Sequence, residues 1–282
     1  MMNFAQFAAA SGLLIKSIVA DGRIHRCATL EHPRSKNGAY MFDGRRGFVF
    51  DWAGSAVANW WNDKDAKPWS EAEKKQWNAQ RIADQKRKIE GYENASKKAI
   101  KMLSECVLGT HAYLRSKQLP EAQGLIYTDG SLLIPMRDVD TNKVNGLQSI
   151  YLNERQDGFE KRFLPGMKAK RSVFKIGKGR RIVLVEGYAT GLSVHAAACQ
   201  MHLDVSVICC FSASNMIHVS ATHGHFVMAD NDASTTGEKA AIETKLHWSM
   251  PECTGMDWND VHAQYGLLAV CAALNKLVRK AA

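Results

Sequence analysis

Short apolar runs alternate with helical patterns from residue 181 to the end of the chain, and this alternation constrains the fold more than any other feature. Apolar runs typical of buried strands lie at 181–185, 205–211 and 226–229, and helical patterns lie at 190–201, 213–220 and 237–248. Strands that alternate with helices form parallel sheets with right-handed crossovers. The sequence therefore predicts an α/β fold for this part of the chain.

Acidic residues follow two of these strands. Glu186 comes directly after the first strand, and Asp230 and Asp232 come directly after the third. Asp257 and Asp260 lie in a loop before the last predicted helix. Functional crevices of parallel sheets lie beyond the carboxyl ends of the strands, and Mg²⁺ prefers carboxylate oxygens there.

The spacing of the two aspartates supports this interpretation. Residues two apart in extended chain point the same way, so Asp230 and Asp232 can share one ion. The alternative is structural: Glu186, Asp230 and Asp232 can each cap a following helix, and Asp260 can cap the last one. Both interpretations stay open at the level of the residues.

The chain is strongly basic in an adjacent stretch. Its formal net charge is +9 and its pI about 9.2, which favours a polyanionic partner such as nucleic acid. Residues 155–181 hold ten lysines and arginines around short apolar anchors, which indicates a folded basic groove rather than a tail. A solvated surface is the alternative. The candidate contacts to template or nucleotide are Arg155, Lys161, Arg162, Lys168, Lys170 and Arg171.

The N-terminal part reads as short strands joined by tight turns. In HPRSKNGAYMFDGRRGFVFDW, aromatic residues are interleaved with basic ones. Such a pattern suits stacking of bases, or else the aromatic residues form a core and the charges lie in solvated turns. A charged segment at 69–107 predicts a long helix, with Ser70 and Glu73 as a capping box.

Several classes of protein are disfavoured. No run of eighteen apolar residues occurs, so we expect no membrane span. The first residues lack a positive end before their apolar part, which predicts an ordinary helix and a cytoplasmic protein. The seven cysteines form no CxxC pair, so we expect reduced thiols and no zinc site.

The acidic motifs occur in the order LVEGYATGLSVHAA, FVMADND and GMDWNDVH. This series resembles the Toprim domain shared by DnaG-type primases and topoisomerases, and most of all the primase-type Toprim proteins of phages and plasmids. Upstream, HAYLRSKQL, LLIPMRDVD, GLQSIY and KRFLPGMKAKRSVFKIG resemble the N-terminal half of the primase catalytic core. The resemblance covers roughly residues 110–270.

The resemblance implies a layout in four segments. The expected fold is a Rossmann-like parallel sheet with flanking helices, preceded by an α+β primase-core subdomain and a small N-terminal α+β unit. The segments are a unit at 1–65 in the position of a zinc ribbon but without zinc ligands, a helical linker at 66–108, the basic half of the primase core at 109–178, and the Toprim domain with a C-terminal helix at 179–282.

The resemblance also implies a function, namely DNA primase activity. Short RNA primers would be made on single-stranded DNA from ribonucleoside triphosphates, for phage or plasmid replication in a bacterial cytoplasm, with a separate replicative helicase as partner. Glu186, Asp230 and Asp232 would be catalytic and, with Asp257 and Asp260, would hold two Mg²⁺ or Mn²⁺ ions. Alternatives are a Toprim-type nuclease and a non-catalytic nucleic-acid-binding protein.

The sequence departs from cellular primases at two points. Their further aspartate, four residues after the motif glutamate, is Thr190 here, and their N-terminal zinc ligands are missing. Within these residues no P-loop motif occurs either. Gly187 follows the motif glutamate and is expected to permit a close approach where strand turns into helix.

Overall fold

The computed structural model describes residues 2–52, 57–64, 70–153 and 158–279. The chain divides into two compact units, Met1–Arg81 and Ile82–Ala282. Within the described residues, no helix is long and apolar enough to cross a membrane.

The N-terminal unit is a small antiparallel sheet with one helix. Its elements are α1 (Phe4–Ala10), β1 (Leu13–Leu14), β2 (Ile24–Thr29), β3 (Gly38–Phe42), β4 (Arg46–Asp51) and β5 (Asn59–Asn62). Within residues 2–52 and 57–64 these five strands pair in sequence order. The Asp43-Gly44 turn joins β3 to β4, and the Asp43 side chain accepts hydrogen bonds from the N–H groups of Arg45 and Arg46.

One face of this sheet forms a core. Helix α1 begins with a capping box between Asn3 and Gln6. It buries Phe4 against the sheet, where the ring stacks on Phe42 at 4.4 Å between centroids. Tyr40 and Val49 complete this cluster. The predicted core role of the aromatic residues therefore holds for Tyr40 and Phe42.

A long helix, α2 (Glu71–Ser104), contributes residues to both units. Ser70 and Glu73 form the expected capping box, with reciprocal backbone hydrogen bonds of 2.7 and 3.2 Å. The helix continues through Gly91, and Ala95 and Ala99 are buried in a core of the second unit.

The second unit is built on a mixed sheet. Its strands are β6 (Val107–Gly109), β7 (Gly124–Ile126), β8 (Leu132–Asp138), β9 (Val144–Asn153), β10 (Gly158–Phe163), β11 (Ser172–Ile176), β12 (Arg181–Val185), β13 (Val205–Cys209), β14 (Phe226–Met228) and β15 (His247–Ser249). Its further helices are α3 (Ala112–Ser116), α4 (Tyr188–Gln200), α5 (Ala213–Ser220), α6 (Thr236–Thr244), α7 (Trp258–Tyr265) and α8 (Leu267–Arg279).

The sheet order places the acidic strand ends side by side. Over the described residues the order is β10-β9-β8-β11-β13-β12-β14-β15, and β7 joins β6 to β8. Strands β13, β12, β14 and β15 are parallel, as the alternation predicts. Strand β11 is antiparallel to both β8 and β13, so it joins the two halves into one continuous sheet.

The predicted helix at 237–248 is wrong at its end. Helix α6 stops at Thr244 because Lys245 takes a left-handed conformation, with φ of 59°. The chain then forms β15, in which Trp248 pairs in parallel register with Val227. A three-residue strand has no periodicity of its own, so tertiary pairing decides this element.

Apolar side chains cover both faces of the parallel strands. Val183, Val185 and Phe226 pack on α4 and α8, while Leu184, Ile208 and Val227 pack on α5 and α6. Each fully buried side chain of this size stabilises the fold by roughly 1.5–3 kcal/mol relative to an exposed one. The predicted α/β class with flanking helices is confirmed.

Candidate metal and nucleotide site

Glu186 lies directly beyond β12, in the middle of the parallel strands. Its backbone carbonyl accepts a 2.8 Å hydrogen bond from the N–H of Phe211, which follows β13. Burial raises the pKa of its carboxyl group, Asp232 raises it further, and Lys161 opposes the shift. Glu186 is therefore within electrostatic range of an acid from the neighbouring strand and of a cation from β10.

Asp230 follows β14, the neighbour of β12. Its Oδ1 atom is buried without a hydrogen-bond partner. Burial raises the pKa of Asp230 to about 7, and the carboxylates of Asp257, Glu186, Asp232 and Asp260 add to the rise. One buried acid thus experiences the charge of the four others that the sequence predicts to share its site.

Asp232 has a different environment two residues later. Its carboxylate accepts hydrogen bonds from the N–H groups of Ser234 and Gly237, both at 2.9 Å, and from the Ser234 hydroxyl. The Ser234 bond is the main reason that its pKa is lowered. Gly237 is required here because a Cβ at that position would lie 2.3 Å from the Asp230 carbonyl oxygen. Asp232 is therefore ionised and held in place at the start of α6.

Asp257 and Asp260 form a capping box at the start of α7. Asp257 is the N-cap and accepts from the N–H groups of Asn259 and Asp260 at 2.6 and 2.9 Å. Asp260 accepts from the N–H of Asp257 at 3.0 Å and lies 3.5 Å from the Lys117 ammonium. Both therefore cap a helix, and both still act on the pKa of Asp230.

The five carboxylates lie near one another but do not surround a single metal position. Among the described residues, no three histidine, cysteine, aspartate or glutamate side chains form a ready cage for a metal ion. The partnerless Asp230 Oδ1 and the raised pKa values nevertheless mark a concentration of negative charge that a cation would relieve. Carboxylate oxygens are the donors that hard divalent cations prefer, so the donor set fits such an ion.

The turn after Glu186 is tightly packed. Gly187 is the N-cap of α4, with φ of −92°, and a Cβ there would lie 3.3 Å from the Thr190 hydroxyl. Thr190 is 1% exposed, and its Oγ1 has no hydrogen-bond partner. The position where cellular primases carry a further aspartate is thus a buried hydroxyl at the base of the site.

A family model described as the Toprim domain matches residues 181–267. This stretch includes β12 to β15 and all five acidic residues. The chain contains a Toprim domain. Toprim domains generally bind divalent metal ions. The resemblance inferred from the three acidic motifs is confirmed for this part of the chain.

A solved structure is also similar, the RNA polymerase domain of the primase DnaG from Mycobacterium tuberculosis. The match has 19% sequence identity and a TM-score of 0.36, and covers 52% of this chain and 55% of the mycobacterial one. The chain thus spans about half the length of that relative.

Strand β10 carries two of the predicted basic contacts, Lys161 and Arg162, and only Lys161 lies on the side of the Toprim acids. Successive residues of a strand face opposite sides of the sheet. Lys161 lies on the side of Tyr113, with its ammonium 5.2 Å from the ring centroid, and it lowers the pKa of Glu186. Arg162 lies on the other side, where it pairs with Glu160 at 2.5 Å and sits over Tyr151.

Two other predicted contacts are held by structural partners. Lys168 pairs with Asp138 at 3.0 Å. Arg171 bonds the carboxylate of Asp140, the Thr222 hydroxyl and the His218 carbonyl oxygen, so its guanidinium ties the β8–β9 turn to α5. Arg155 lies outside the described residues.

Lys170 is exposed and lines a cavity of about 170 Å³ beside the Toprim site. The cavity walls also include the rings of Phe163 and Phe211 and the side chain of Ser212. Phe211 immediately follows the strand end next to Glu186. Burial lowers the pKa of His218 at the other side of the cavity, Lys170 and Arg171 lower it further, and Glu243 opposes the shift.

Sequence reasoning missed Asn259, the asparagine of the DWND motif. It is 1% exposed and donates to the Lys117 carbonyl oxygen at 2.9 Å and to the Ser193 hydroxyl at 3.1 Å. It therefore fixes α7 to α4 and to the end of α3. The available signal was its position inside the DWND motif. That motif was selected for its aspartates, and asparagine has no charge that would have pointed to a role.

Proposed function

We propose that this protein is a DNA primase that makes short RNA primers on single-stranded DNA by template-directed nucleotidyl transfer. The observation that carries the proposal is the buried Asp230 carboxylate, whose Oδ1 has no hydrogen-bond partner, among four further acids of a Toprim domain, with Lys161 acting on Glu186 from β10. Phage or plasmid replication is the setting that the motif series favours, with a separate helicase opening the duplex.

The acids are proposed to hold two divalent cations, Mg²⁺ or Mn²⁺. Glu186 and Asp230 are the primary ligands, since both lie beyond neighbouring strands and burial, together with nearby carboxylates, raises the pKa of both groups. Asp232 is already ionised and oriented, while Asp257 and Asp260 complete the negative potential from α7. The ions would supply charge stabilisation for the attacking 3′-hydroxyl and the leaving pyrophosphate.

The basic side of the site is proposed to bind the anionic substrates. Lys161 faces the acids and is placed to contact a triphosphate. Lys170, Phe163 and Phe211 line the adjacent cavity, which suits a nucleobase with a phosphate nearby. Lys168, Arg171 and Arg162 would shape this wall through their own ion pairs rather than touch the substrate.

The test is primer synthesis with labelled ribonucleoside triphosphates on varied single-stranded templates, with and without Mg²⁺ or Mn²⁺. Glu186→Gln and Asp230→Asn should each reduce primer yield by at least about 10²-fold while single-strand binding persists, because the substitutions remove metal ligands and no basic contact. Asp204→Asn is the matched control, since Asp204 pairs with Arg180 at the amino ends of β12 and β13, away from the carboxyl ends that carry the acids.

Three results would count against the proposal. Full activity in both variants removes the carboxylates from the mechanism. Shortening of the labelled template in place of extended product indicates a nuclease. Strand binding without any metal-dependent product indicates a binding protein.

A further inference from the structure

The sheet of the N-terminal unit has a second face that α1 does not cover. Its side chains alternate with those that face α1, since the partners Met41↔Phe48, Ala39↔Phe50 and Phe48↔Trp60 share one side. We call this surface the outer face and define it by six residues: Ile24, Arg26, Phe48, Phe50, Trp52 and Trp60.

Large apolar side chains on the outer face are open to solvent. Ile24 is 63% exposed, Trp60 61% and Trp52 49%. The rings are paired: Phe48 lies 5.2 Å from Trp60, and Phe50 lies 4.6 Å from Trp52, between centroids. Phe48 and Phe50 are half-buried and support the exposed Trp60 and Trp52, and an exposed apolar patch of this kind generally marks a binding surface.

The charge of the outer face is positive. The Arg26 guanidinium lies 3.8 Å above the Trp52 ring and donates to the Lys36 carbonyl oxygen, which fixes it among the aromatic rings. Arg46 faces the same side as Phe48 and Phe50 by strand alternation, and the Glu73 carboxylate of α2 acts on it, so Arg26 supplies the charge among the rings. Asp51 faces the other side, where it acts on the buried Cys27. Among the described strand residues, none that faces outward carries a carboxylate.

Exposed aromatic rings with an arginine held among them fit one ligand chemistry. Unpaired bases stack on such rings, while the phosphates between them pair with arginine. Duplex DNA hides its base faces and cannot stack in this way. An acidic protein segment would use the arginines but would leave the ring faces unsatisfied.

We propose that the outer face is a second binding surface for single-stranded nucleic acid, on which bases stack against Trp60, Phe48 and Trp52. The surface belongs to the N-terminal unit and uses none of the Toprim carboxylates. The proposal is therefore independent of primer synthesis.

The experiment measures binding of a fluorescein-labelled oligodeoxythymidine to the full chain by fluorescence anisotropy, without divalent metal or nucleotides. The double variant Phe48→Leu/Trp60→Leu keeps apolar bulk and removes two planar rings. Its affinity should fall by about tenfold or more, since each stacked base contributes enough for roughly that factor. Trp60→Phe keeps a ring and should stay within about twofold of the native affinity.

The matched control is Tyr265→Leu, because Tyr265 is an aromatic residue of the second unit that is also 54% exposed. It should bind the strand like the native chain. An abasic oligomer of equal length carries the same phosphates without bases and should bind native chain and double variant alike. Photocrosslinking of native chain to a strand that contains 5-iododeoxyuridine should label the peptide at 57–64, and this readout stands even if a variant fails to fold.

The proposal is wrong if the double variant binds the strand like native chain, if the abasic oligomer binds native chain as tightly as the strand with bases, or if crosslinks fall only in the second unit. It is also wrong if light scattering shows that the double variant separates a dimer while strand binding is unchanged, because the face would then join two copies of the chain. Loss of primer synthesis in Glu186→Gln does not bear on it.

Discussion

The side chain of Asp230 combines a cost to folding with a role in the proposed chemistry. Its Oδ1 is buried without a partner, and four other carboxylates act on it. Its pKa lies at about 7 instead of the ordinary 3.8, so the folded state favours the protonated form. At neutral pH and above, folding must therefore bury a charge that the unfolded chain leaves in water.

We predict that Asp230→Asn stabilises the metal-free protein above pH 7 by on the order of 2 kcal/mol. The sign follows from linkage: the native acid is ionised in both states at pH 8 but is buried only in the folded one. As pH falls from 7 towards 4 the folded state takes up the proton first, so the advantage of the variant shrinks and is gone below 4. Urea unfolding with EDTA at pH 8, 6 and 4 measures it.

Asp232→Asn provides the matched comparison. The pKa of Asp232 is lowered by hydrogen bonds from Ser234 and from backbone N–H groups, so this substitution should destabilise the protein at pH 8. Equal effects of the two substitutions would show that Asp230 has no special environment. Added Mn²⁺ should stabilise the native chain but not Asp230→Asn, because the ion binds only the folded site.

Strand β10 places two neighbouring basic residues in different environments. Lys161 and Arg162 are adjacent and both basic, yet the pleat places them on opposite faces of the sheet. Lys161 faces Tyr113 and acts on Glu186, while Arg162 faces Tyr151 and Glu160. Only one of the two can contact a substrate bound at the Toprim acids.

We predict that Lys161→Ala raises the KM for ribonucleoside triphosphates by about tenfold, since a single charge-assisted contact contributes roughly 1.5–3 kcal/mol. Arg162→Ala removes the same type of charge from the adjacent position and should change KM by less than about twofold. Steady-state primer synthesis at varied nucleotide concentration measures both. Similar effects of the two substitutions would mean that only the net charge of the strand matters.

Strand pairing and hydrogen bonds between segments far apart in the chain hold the second unit together. The basic half and the Toprim half share one sheet through β11. At the site itself, the Asn259 side chain on α7 donates hydrogen bonds to the Lys117 carbonyl oxygen and to the Ser193 hydroxyl on α4. Lys117 lies 142 positions earlier in the chain. The Lys117 ammonium in turn pairs with the carboxylate of Asp260, which belongs to the acidic cluster.

We predict that Asn259→Ala destabilises the protein by about 1–3 kcal/mol, because it removes two buried hydrogen bonds and leaves the Lys117 carbonyl without its donor. Primer synthesis should fall further than the folded fraction does, since Asp257 and Asp260 lose their fixed position. Thermal unfolding and kcat are compared with Gln200→Ala, which changes an exposed amide at the end of α4. A loss of stability with unchanged kcat per folded molecule would limit Asn259 to a structural role.

The sequence by itself determined the parallel core and the acids at its strand ends. Continuous apolar runs identify buried strands wherever they occur, and a residue directly after such a strand lies at its carboxyl end. The capping box at Ser70 was likewise local, because it depends on residues only three positions apart. The ordered series of Toprim motifs added the prediction that Glu186, Asp230 and Asp257 share one site.

Only the tertiary structure decided which side chains share a surface. It showed that β15 replaces the end of a predicted helix and that Arg171 pairs with Asp140. It also showed that Phe42 packs against Phe4 in the core while Phe48 lies on the other face beside Trp60. These outcomes depend on pairing and packing between segments far apart in the chain. A local pattern records a residue's neighbours in sequence but not the face against which it is finally placed.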